Sequence, residues 1–291
     1  MAITKVLVVY KESAYSRYLS AHALAQGLKQ GRYWDIVRGS HERHHRTLQT
    51  VRDRLTVLGI GAKWVLRDRI QTLRAVDGAY RLVITVGGDG TLLDTSHFLA
   101  RTPVLGVNSD PKRSVARFSG CDAESFAGVL DDFLNGKVEP VPLHRLEFSI
   151  GSRKNPWLVL NDLLIAAASP AATSRYVLKA GARMEEQLSS GIWVSTAAGS
   201  TAAALSAGGK ALPVLSEKFQ FVVREAYQKK FGPRRLLAAV LGRGQRLEVR
   251  SYMKEGRVFV DGANLVVPFR LGEKLEIGLS RSPLRVIGLR K

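Results

Sequence analysis

One carboxylate lies inside a glycine-rich loop of the sequence. The stretch VITVGGDGTLLD places Asp89 among Gly87, Gly88 and Gly90, directly after an apolar strand, and Thr91 opens a predicted helix. Unpaired N–H groups at a helix start attract anions, and glycine lets the backbone approach a phosphate. An acid there repels phosphate unless it meets a metal ion or accepts a hydroxyl proton, as phosphoryl transfer requires. The loop therefore predicts phosphoryl transfer with Asp89 as proton acceptor. A strand–helix turn that uses glycine only for its geometry is the alternative.

A second segment rich in glycine and serine follows about a hundred residues later. Residues 191–209 read GIWVSTAAGSTAAALSAGG, in which an apolar strand leads into a loop and then a short helix of small residues. Small side chains let a flat ligand lie against the backbone, while hydroxyl and N–H groups supply polar contacts. Close helix packing is the alternative interpretation.

The sequence also contains a motif of zinc proteases. Residues 41–45 read HERHH, so His41 and His45 share a face if the segment is helical, with Glu42 as general base. No third ligand follows at helical spacing, and His44 adds to a polar, solvated character. We expect these histidines to be exposed at a helix start, with a metalloprotease as a rival function from another class.

Three common motifs are missing from the sequence. It contains no GxxxxGK[ST] phosphate loop, no GxGxxG dinucleotide fingerprint and no GxSxG nucleophile elbow. A P-loop NTPase, a Rossmann-type oxidoreductase and a serine hydrolase of the usual kind are therefore not expected.

Apolar strands alternate with amphipathic segments over the first hundred residues. Segments 13–30 and 41–58 are predicted helices, the second because Val51 and Leu55 recur at helical spacing. Alternation of this kind predicts a parallel sheet covered on both faces, with ligands beyond the carboxyl ends of its strands. The predicted strands are 5–10, 33–37, 62–66, 81–86 and 103–107.

The pattern changes in the second part of the chain. A helix over 122–136, capped by Asp122, is followed by segments that are mostly strand-like, with a hairpin turn near 254–256 and a helix at about 200–208. The predicted strands are 144–150, 157–166, 175–180, 191–196, 246–252 and 257–261.

These patterns predict two domains. We expect an α/β N-terminal domain with a parallel sheet over residues 1–110, and a β-rich, β-sandwich-like C-terminal domain over residues 111–291. The last residues of the chain can pack back on the N-terminal domain.

The composition is that of a globular protein with a strong positive charge. Hydrophobic residues make up 45% of the 291 residues, and the formal net charge is +19. Such a charge attracts polyanions, but no nucleic-acid-binding motif accompanies it, so nucleic acid is not the expected partner. No apolar run spans a bilayer, no signal peptide is expected, and the single cysteine, Cys121, favours a reducing cytoplasm.

Together the two glycine-rich segments resemble the NAD kinase family. GGDGT is followed by STAAGSTAAALSAGG, and Asn108, Asn161-Asp162 and Val260-Asp261-Gly262 occur in the expected order. GGDGT alone also occurs in diacylglycerol and sphingosine kinases, so a lipid kinase is an alternative, as is a nucleotide- or nucleic-acid-binding relative without catalysis. The second segment separates NAD kinases from the lipid kinases.

The resemblance implies a kinase that moves the γ-phosphate of ATP, bound with Mg²⁺, to the 2′-hydroxyl of the adenosine ribose of NAD or NADH. It implies a homodimer or homotetramer, Asp89 as proton acceptor and no protein-held metal site. The implied substrate-binding residues are Gly87, Gly88, Gly90, Thr91, Asn108, Asn161, Asp162, Ser190, Gly199, Ser200, Thr201, Ala202, Ala203 and Ser206.

Several positions depart from the family's usual pattern. Ser190 replaces an aspartate that lies near the nicotinamide, Ala198 replaces threonine and Ala203 replaces tyrosine. The sequence of this segment, with these replacements, is similar to that of the NADH kinases described from plants, which prefer the reduced dinucleotide. Because the oxidised nicotinamide is positively charged, loss of the acid at Ser190 predicts a shift of preference toward NADH.

Overall fold

The computed structural model describes residues 3–20, 31–73, 75–227 and 235–289. The chain forms two compact units, the first of residues 1–142 and 284–291 and the second of residues 143–283. The first unit extends beyond the expected boundary at residue 110, because Phe126 and Leu130 belong to the same hydrophobic core as the first strands.

The first unit is built on one sheet, whose strands are β1 (Lys5–Tyr10), β2 (Gly61–Leu66), β3 (Val83–Gly87), β4 (Val104–Asn108), β5 (Cys121–Asp122), β6 (Val141–Leu143) and β19 (Leu284–Val286). Their order is β2-β1-β3-β4-β19-β6, with β5 paired to β4. The pairs of β1 with β2 and β3, and of β4 with β3, β5 and β19, are parallel. Its helices are α1 (Ala14–Ser20), α2 (Arg32–Val57), α3 (Asp89–Ser96) and α4 (Phe126–Leu134), with a 3₁₀ helix at Arg67–Thr72.

The central strands of this sheet are buried along their whole length. Every residue of β3 and of β4 is buried, which is typical of parallel strands covered on both faces. Their carboxyl ends lead into polar loops at one edge of the sheet, where α/β folds bind ligands.

The predicted strand at 33–37 is wrong, because this segment lies inside α2. The buried residues of α2 include Val37, His44, Val51 and Leu55, which follow one another at intervals of seven, seven and four residues. They form a single helical stripe, and a five-residue apolar run cannot by itself be distinguished from a helix segment. Of the predicted helix at 13–30, α1 covers the first part, and residues 21–30 lie outside the described residues.

The second unit consists of two antiparallel sheets, whose strands are β7 (Leu146–Ile150), β8 (Arg153–Lys154), β9 (Asp162–Ala167), β10 (Ser174–Ala180), β11 (Arg183–Ser189), β12 (Ile192–Thr196), β13 (Lys218–Val223), β14 (Ala238–Gly242), β15 (Leu247–Ser251), β16 (Glu255–Val260), β17 (Leu265–Arg270) and β18 (Lys274–Leu279). The strand orders are β11-β10-β15-β18-β7-β8 and β14-β13-β12-β9-β16-β17. The inward side chains of both sheets form one hydrophobic core that includes Phe148, Tyr176, Phe219 and Phe269. The expected fold class, a parallel α/β part followed by a β-sandwich-like part, is confirmed.

The predicted hairpin turn near 254–256 is wrong, because the chain crosses between sheets there. Strand β15 pairs with β10 and β18, whereas β16 pairs with β9 and β17. Gly256 lies opposite Phe269 within β16, so close that a side chain at this position would overlap the carbonyl oxygen of Phe269. This glycine serves a close approach of strands and not a turn.

Two predicted helices are shorter in the structure. Helix α4 begins at Phe126, and Asp122 belongs to β5, where its carboxylate accepts the N–H of Ser125 at 3.0 Å. The helix expected at about 200–208 is reduced to α5 (Ala203–Ser206) flanked by turns. Within the described residues, no helix is both long and apolar enough to cross a membrane.

Candidate active site

The glycine-rich loop of the first unit connects buried β3 to α3. Gly88 is extended and precedes the first residue of the helix. A side chain at Gly87 would overlap the hydroxyl of Thr91, and one at Gly88 would come within 2.8 Å of the Ser114 hydroxyl oxygen. Glycine at both positions therefore lets the side chains of Thr91 and Ser114 lie close against this turn.

Asp89 is partly exposed at the first position of α3, and its carboxylate is held by two backbone groups. The N–H of Phe118 donates to one oxygen at 2.9 Å and the N–H of Arg117 donates to the other at 3.0 Å. Each carboxylate oxygen retains lone pairs for a further contact. The acid is thus fixed in orientation and accessible, which suits a group that accepts a proton from a bound hydroxyl.

Asn108, at the end of neighbouring β4, is buried and bonded within the protein. Its amide nitrogen donates to the carbonyl of Ser114 at 2.9 Å, and its amide oxygen accepts the N–H of Asp110 at 3.1 Å. These bonds shape the loop that carries Ser114 over the glycines. The amide of Asn108 therefore stabilises the loop that follows β4 and is not exposed.

Two buried hydroxyl groups at this edge of the sheet have no partner within the described residues. They are the side chains of Thr91 on α3 and Ser109 after β4, each 1% exposed. A buried polar group without a partner costs about 1–3 kcal/mol, so such groups mark places where a ligand or ordered water completes the structure.

In the second unit, Asn161 and Asp162 lie at the start of β9 and adjoin Gly199. The amide nitrogen of Asn161 donates to the Asp162 carboxylate at 2.9 Å, which fixes the orientation of the amide. A methyl group at Gly199 would overlap the Asn161 carbonyl oxygen and lie 2.6 Å from its amide oxygen. The second glycine-rich segment therefore packs directly against this pair.

Asp261, after β16, fixes the backbone that carries this pair. Its two carboxylate oxygens accept the N–H groups of Leu160 at 2.8 Å, Asn161 at 2.7 Å and Asp162 at 3.0 Å. Burial raises the pKa of Asp261 to about 7, against the opposing effect of these three donors. The Val-Asp-Gly triplet was visible in the sequence, but its contact with Asn161, 100 residues away, was not.

Asp162 is buried, and burial raises its pKa to about 6. The unfolded chain loses this proton near pH 4, whereas the folded protein holds it until about pH 6. The folded state therefore binds more protons between those values, and the contribution of Asp162 to stability falls as the pH rises through that window.

Asp162→Asn should therefore raise the melting temperature of the ligand-free protein by a few degrees at pH 8 and change it little at pH 4. The expected gain at pH 8 is about 1–3 kcal/mol, because asparagine keeps an acceptor for Asn161 without a buried charge. Thermal unfolding at both pH values measures this, with exposed Asp35→Asn as control. An equal shift at both pH values would contradict it.

The remaining predicted residues of the second segment differ in exposure. The Ser200 hydroxyl is fully buried, donates to the carbonyl of Ala197 at 2.7 Å and accepts the N–H of Leu212 at 2.8 Å. The buried hydroxyl oxygen of Thr201 has no hydrogen-bond partner in the described residues. Ala202 and Ser206 are exposed and Ala203 is partly exposed, so this turn presents small side chains to solvent.

Ser190 lies at the other end of β12 from this cluster. Asp162 is paired with Ser195, and Ser190 lies five residues before Ser195 along the chain, which corresponds to a distance of at most about 17 Å. The hydroxyl of Ser190 donates to the carboxylate of Glu225, beside a cavity of about 320 Å³ with an alanine-rich wall. Ser190 itself is neutral, but Glu225, which follows the adjacent strand β13, places a carboxylate beside it.

The histidines of the HERHH segment lie in the middle of α2, not at a helix start. His44 is buried and its Nε2 donates to the carbonyl of Lys11 at 3.0 Å, and burial lowers its pKa to about 4. His41 is partly buried, with Nδ1 at 2.7 Å from the Ser13 hydroxyl, and only His45 of the three is exposed. No group of three potential ligand residues is found among the residues that the structure describes.

Comparison with known proteins identifies related sequences. A family model described as the ATP-NAD kinase N-terminal domain matches residues 7–138. The probable NADH kinase of Oryza sativa subsp. japonica is 37% identical, over 71% of this chain and 70% of that protein. The NADH kinase of Arabidopsis thaliana is 34% identical, over 98% of this chain and 96% of that protein.

The fold is also that of a solved structure. An NAD kinase from Archaeoglobus fulgidus in complex with ATP matches 99% of this chain and 94% of its own, with a TM-score of 0.68 and 21% sequence identity.

Proposed function

The chain belongs to the NAD kinase family, and from that premise we propose that it transfers the γ-phosphoryl group of ATP to the 2′-hydroxyl of the adenosine ribose of NAD or NADH. The observation that carries the proposal is the carboxylate of Asp89, fixed by two N–H donors at the start of α3 and still accessible. The lipid-kinase alternative rested on GGDGT alone, whereas the similarity to NADH kinases extends over nearly the whole chain.

Asp89 is proposed to orient the attacking ribose hydroxyl and accept its proton. Proton acceptors of this kind act within hydrogen-bond distance of the hydroxyl and contribute about 10²–10⁴-fold to the rate. The exposed backbone of Gly90 lets the sugar approach the acid, since a glycine adds no side chain at this point.

Mg²⁺ is proposed to enter with ATP. It prefers oxygen ligands and is usually held by one or two carboxylates together with phosphate oxygens. An ion held by phosphate oxygens and water would need no dedicated cluster of acids from the chain. When bound, the ion neutralises phosphate charge; the chain's own part is to hold the nucleotide and the acceptor hydroxyl in place.

In the second unit, Asn161 and Asp162 are proposed to bind the adenosine portion of the dinucleotide. The Asn161 amide is oriented by Asp162 and can offer a donor and an acceptor to a base edge or a ribose. The small side chains of Ala202 and Ala203 leave room for a flat ring against the turn.

NADH is proposed as the preferred acceptor, on the likeness to plant NADH kinases. The test is ATP-dependent formation of NADPH and NADP⁺, with kcat/KM measured for each dinucleotide. We expect NADH to be used at least as well as NAD⁺. Use of NAD⁺ at least tenfold better would contradict the preference, and no 2′-phosphorylation of either would contradict the function.

Glu225→Gln tests whether the acid beside Ser190 influences this preference. If the nicotinamide lies near Ser190, a nearby carboxylate favours the charged ring by about 1 kcal/mol, and its removal should shift the kcat/KM ratio toward NADH by about fivefold. Ser190→Asp should shift it the other way. The control is Glu139→Gln, which changes an exposed acid of the first unit. If the ratio of kcat/KM for NADH and NAD⁺ is unchanged in both Ser190→Asp and Glu225→Gln, these two residues do not influence the choice of dinucleotide.

We further propose a cytoplasmic homodimer or homotetramer that does not act on nucleic acid. The assembly is carried over from the resemblance to the family. The buried, single Cys121 suits a reducing compartment, and burial raises its pKa to about 12, which disfavours the reactive thiolate. Light scattering of the purified protein at micromolar concentration gives the oligomer size directly.

A further inference from the structure

Cationic side chains follow the two strands next to the glycine-rich loop. Lys11 comes directly after β1 and Arg67 directly after β2, while β3 ends at the loop itself. Because Tyr10 is paired with both Leu66 and Val86, the three strand ends are level with one another. The N–H of Lys11 also donates to the carbonyl of Val86 at 3.4 Å, next to Gly87.

The ammonium group of Lys11 is partly buried and has no carboxylate within 4 Å in the described parts of the chain. The acid near it is Asp110, whose two oxygens are bonded to Arg43 at 2.6 and 3.2 Å. Burial lowers the pKa of Lys11, Asp110 raises it and Arg67 lowers it further. A partly buried cation with no acid of its own is destabilised until an anion reaches it.

Arg67 lies on the opposite side of the loop from the strand that carries Asn108. Its guanidinium contacts Asp68 and Asp94, each at 3.2 Å, so this side chain is held in place. A methyl group at Gly90 would lie 3.5 Å from one of its terminal nitrogens. One fixed cation therefore lies beside Gly90, and both Arg67 and Asp110 are near enough to Lys11 to influence its pKa.

Among the described residues, two buried hydroxyl groups near this loop also have no hydrogen-bond partner: Thr91 on α3 and Ser109 after β4, both 1% exposed. The Thr91 hydroxyl points across Gly87, where a side chain would collide with it. Hydroxyl donors, helix N–H groups and an unpaired ammonium share one preferred partner, an oxyanion with several acceptor oxygens.

The backbone of Lys11 is anchored from α2. Since a carbonyl only accepts, Nε2 of the buried, neutral His44 must donate to the Lys11 carbonyl, at 3.0 Å. The buried histidine of the HERHH segment thus positions the lysine. This gives the motif a structural reason that involves no metal.

We propose that Lys11 binds phosphate oxygens of the substrate at the glycine-rich loop, and so positions the phosphates during transfer. The proposal rests on the kinase function proposed above. The phosphates can be those of the ATP chain or the pyrophosphate of the dinucleotide, and the two sources predict different kinetic changes. Lysine is suited to this role because it contributes a compact positive charge to a phosphate.

The test compares Lys11→Met and Lys11→Arg with the wild type. Lys63→Met, which removes an exposed lysine from β2, is the matched control. We expect Lys11→Met to raise the KM for ATP at least tenfold, with the KM for NADH within twofold, and Lys11→Arg to recover most of the loss. A raised KM for NADH alone assigns the contact to the dinucleotide pyrophosphate. Unchanged KM values for both substrates overturn the proposal.

Tripolyphosphate binding by calorimetry separates this proposal from the kinase function. We expect the wild type and Lys63→Met to bind it and Lys11→Met to bind at least tenfold more weakly, with melting temperatures checked for all variants. Equal affinity in Lys11→Met, or no binding to the wild type, counts against a phosphate site at Lys11. If the wild type binds tripolyphosphate through Lys11 but does not phosphorylate the 2′-hydroxyl, the phosphate site is supported and the proposed kinase reaction is contradicted.

Discussion

Asp89→Asn is expected to lower kcat by about 10²–10⁴-fold while the KM for the dinucleotide stays within a few-fold. Asparagine has nearly the same size and can still hydrogen-bond a ribose hydroxyl, but it cannot take the proton. The turnover of purified protein with ATP and NADH measures the effect. Near-normal turnover would remove Asp89 from the mechanism.

Loss of anchoring must be separated from loss of the proton acceptor. Asp89 accepts one N–H on each oxygen, and the amide nitrogen of asparagine would face one of these donors. A loss of about 1–3 kcal/mol in stability is therefore expected alongside the kinetic effect.

Asp77 offers the matched control. One of its oxygens accepts the N–H groups of Ala100, Arg101 and Thr102 at 2.8–3.0 Å, in the same unit. Asp77→Ala should lower the melting temperature without lowering kcat of the folded protein. A comparable fall in kcat in Asp77→Ala would mean that lost anchoring, not lost basicity, explains the Asp89 result.

Gly199→Ala is expected to raise the KM for the dinucleotide at least tenfold or to prevent stable folding of the second unit. The added methyl group would overlap the carbonyl oxygen of Asn161 and lie 2.6 Å from its carbonyl carbon, and backbone cannot rotate away as a side chain can. Asn161 is also unable to retreat, because its N–H is bonded to Asp261 and its carbonyl accepts the N–H of Thr196 at 3.0 Å.

Gly128→Ala is the control for this substitution. Gly128 lies inside α4 with nothing within 4 Å of the position of an added methyl group. Alanine there should leave the KM unchanged and stabilise the protein by about 0.5–1 kcal/mol, because glycine is the poorer helix former. A Gly199→Ala protein with wild-type KM and melting temperature would show that the contact with Asn161 is looser than the structure has it.

Local patterns in the sequence identified the strands and loops that carry the proposed chemistry. The apolar runs of β1, β3 and β4 and the glycines after β3 were all recognisable, because burial on two faces and a close backbone approach restrict residue type at each position. The same rules failed at 33–37 and at Gly256. A short apolar run also fits a helix, and glycine also serves a close strand contact.

The sequence by itself determined the class of fold, the family resemblance and the acid in the glycine-rich loop, because each depends on residues that are adjacent or regularly spaced along the chain. Only the tertiary structure decided that Asp261 fixes Asn161, that Glu225 restores an acid beside Ser190, and that Lys11 lies unpaired next to the loop. The first two contacts join residues 100 and 35 positions apart. No local propensity encodes such pairs, since they form only when sheet order and register bring distant strand ends together.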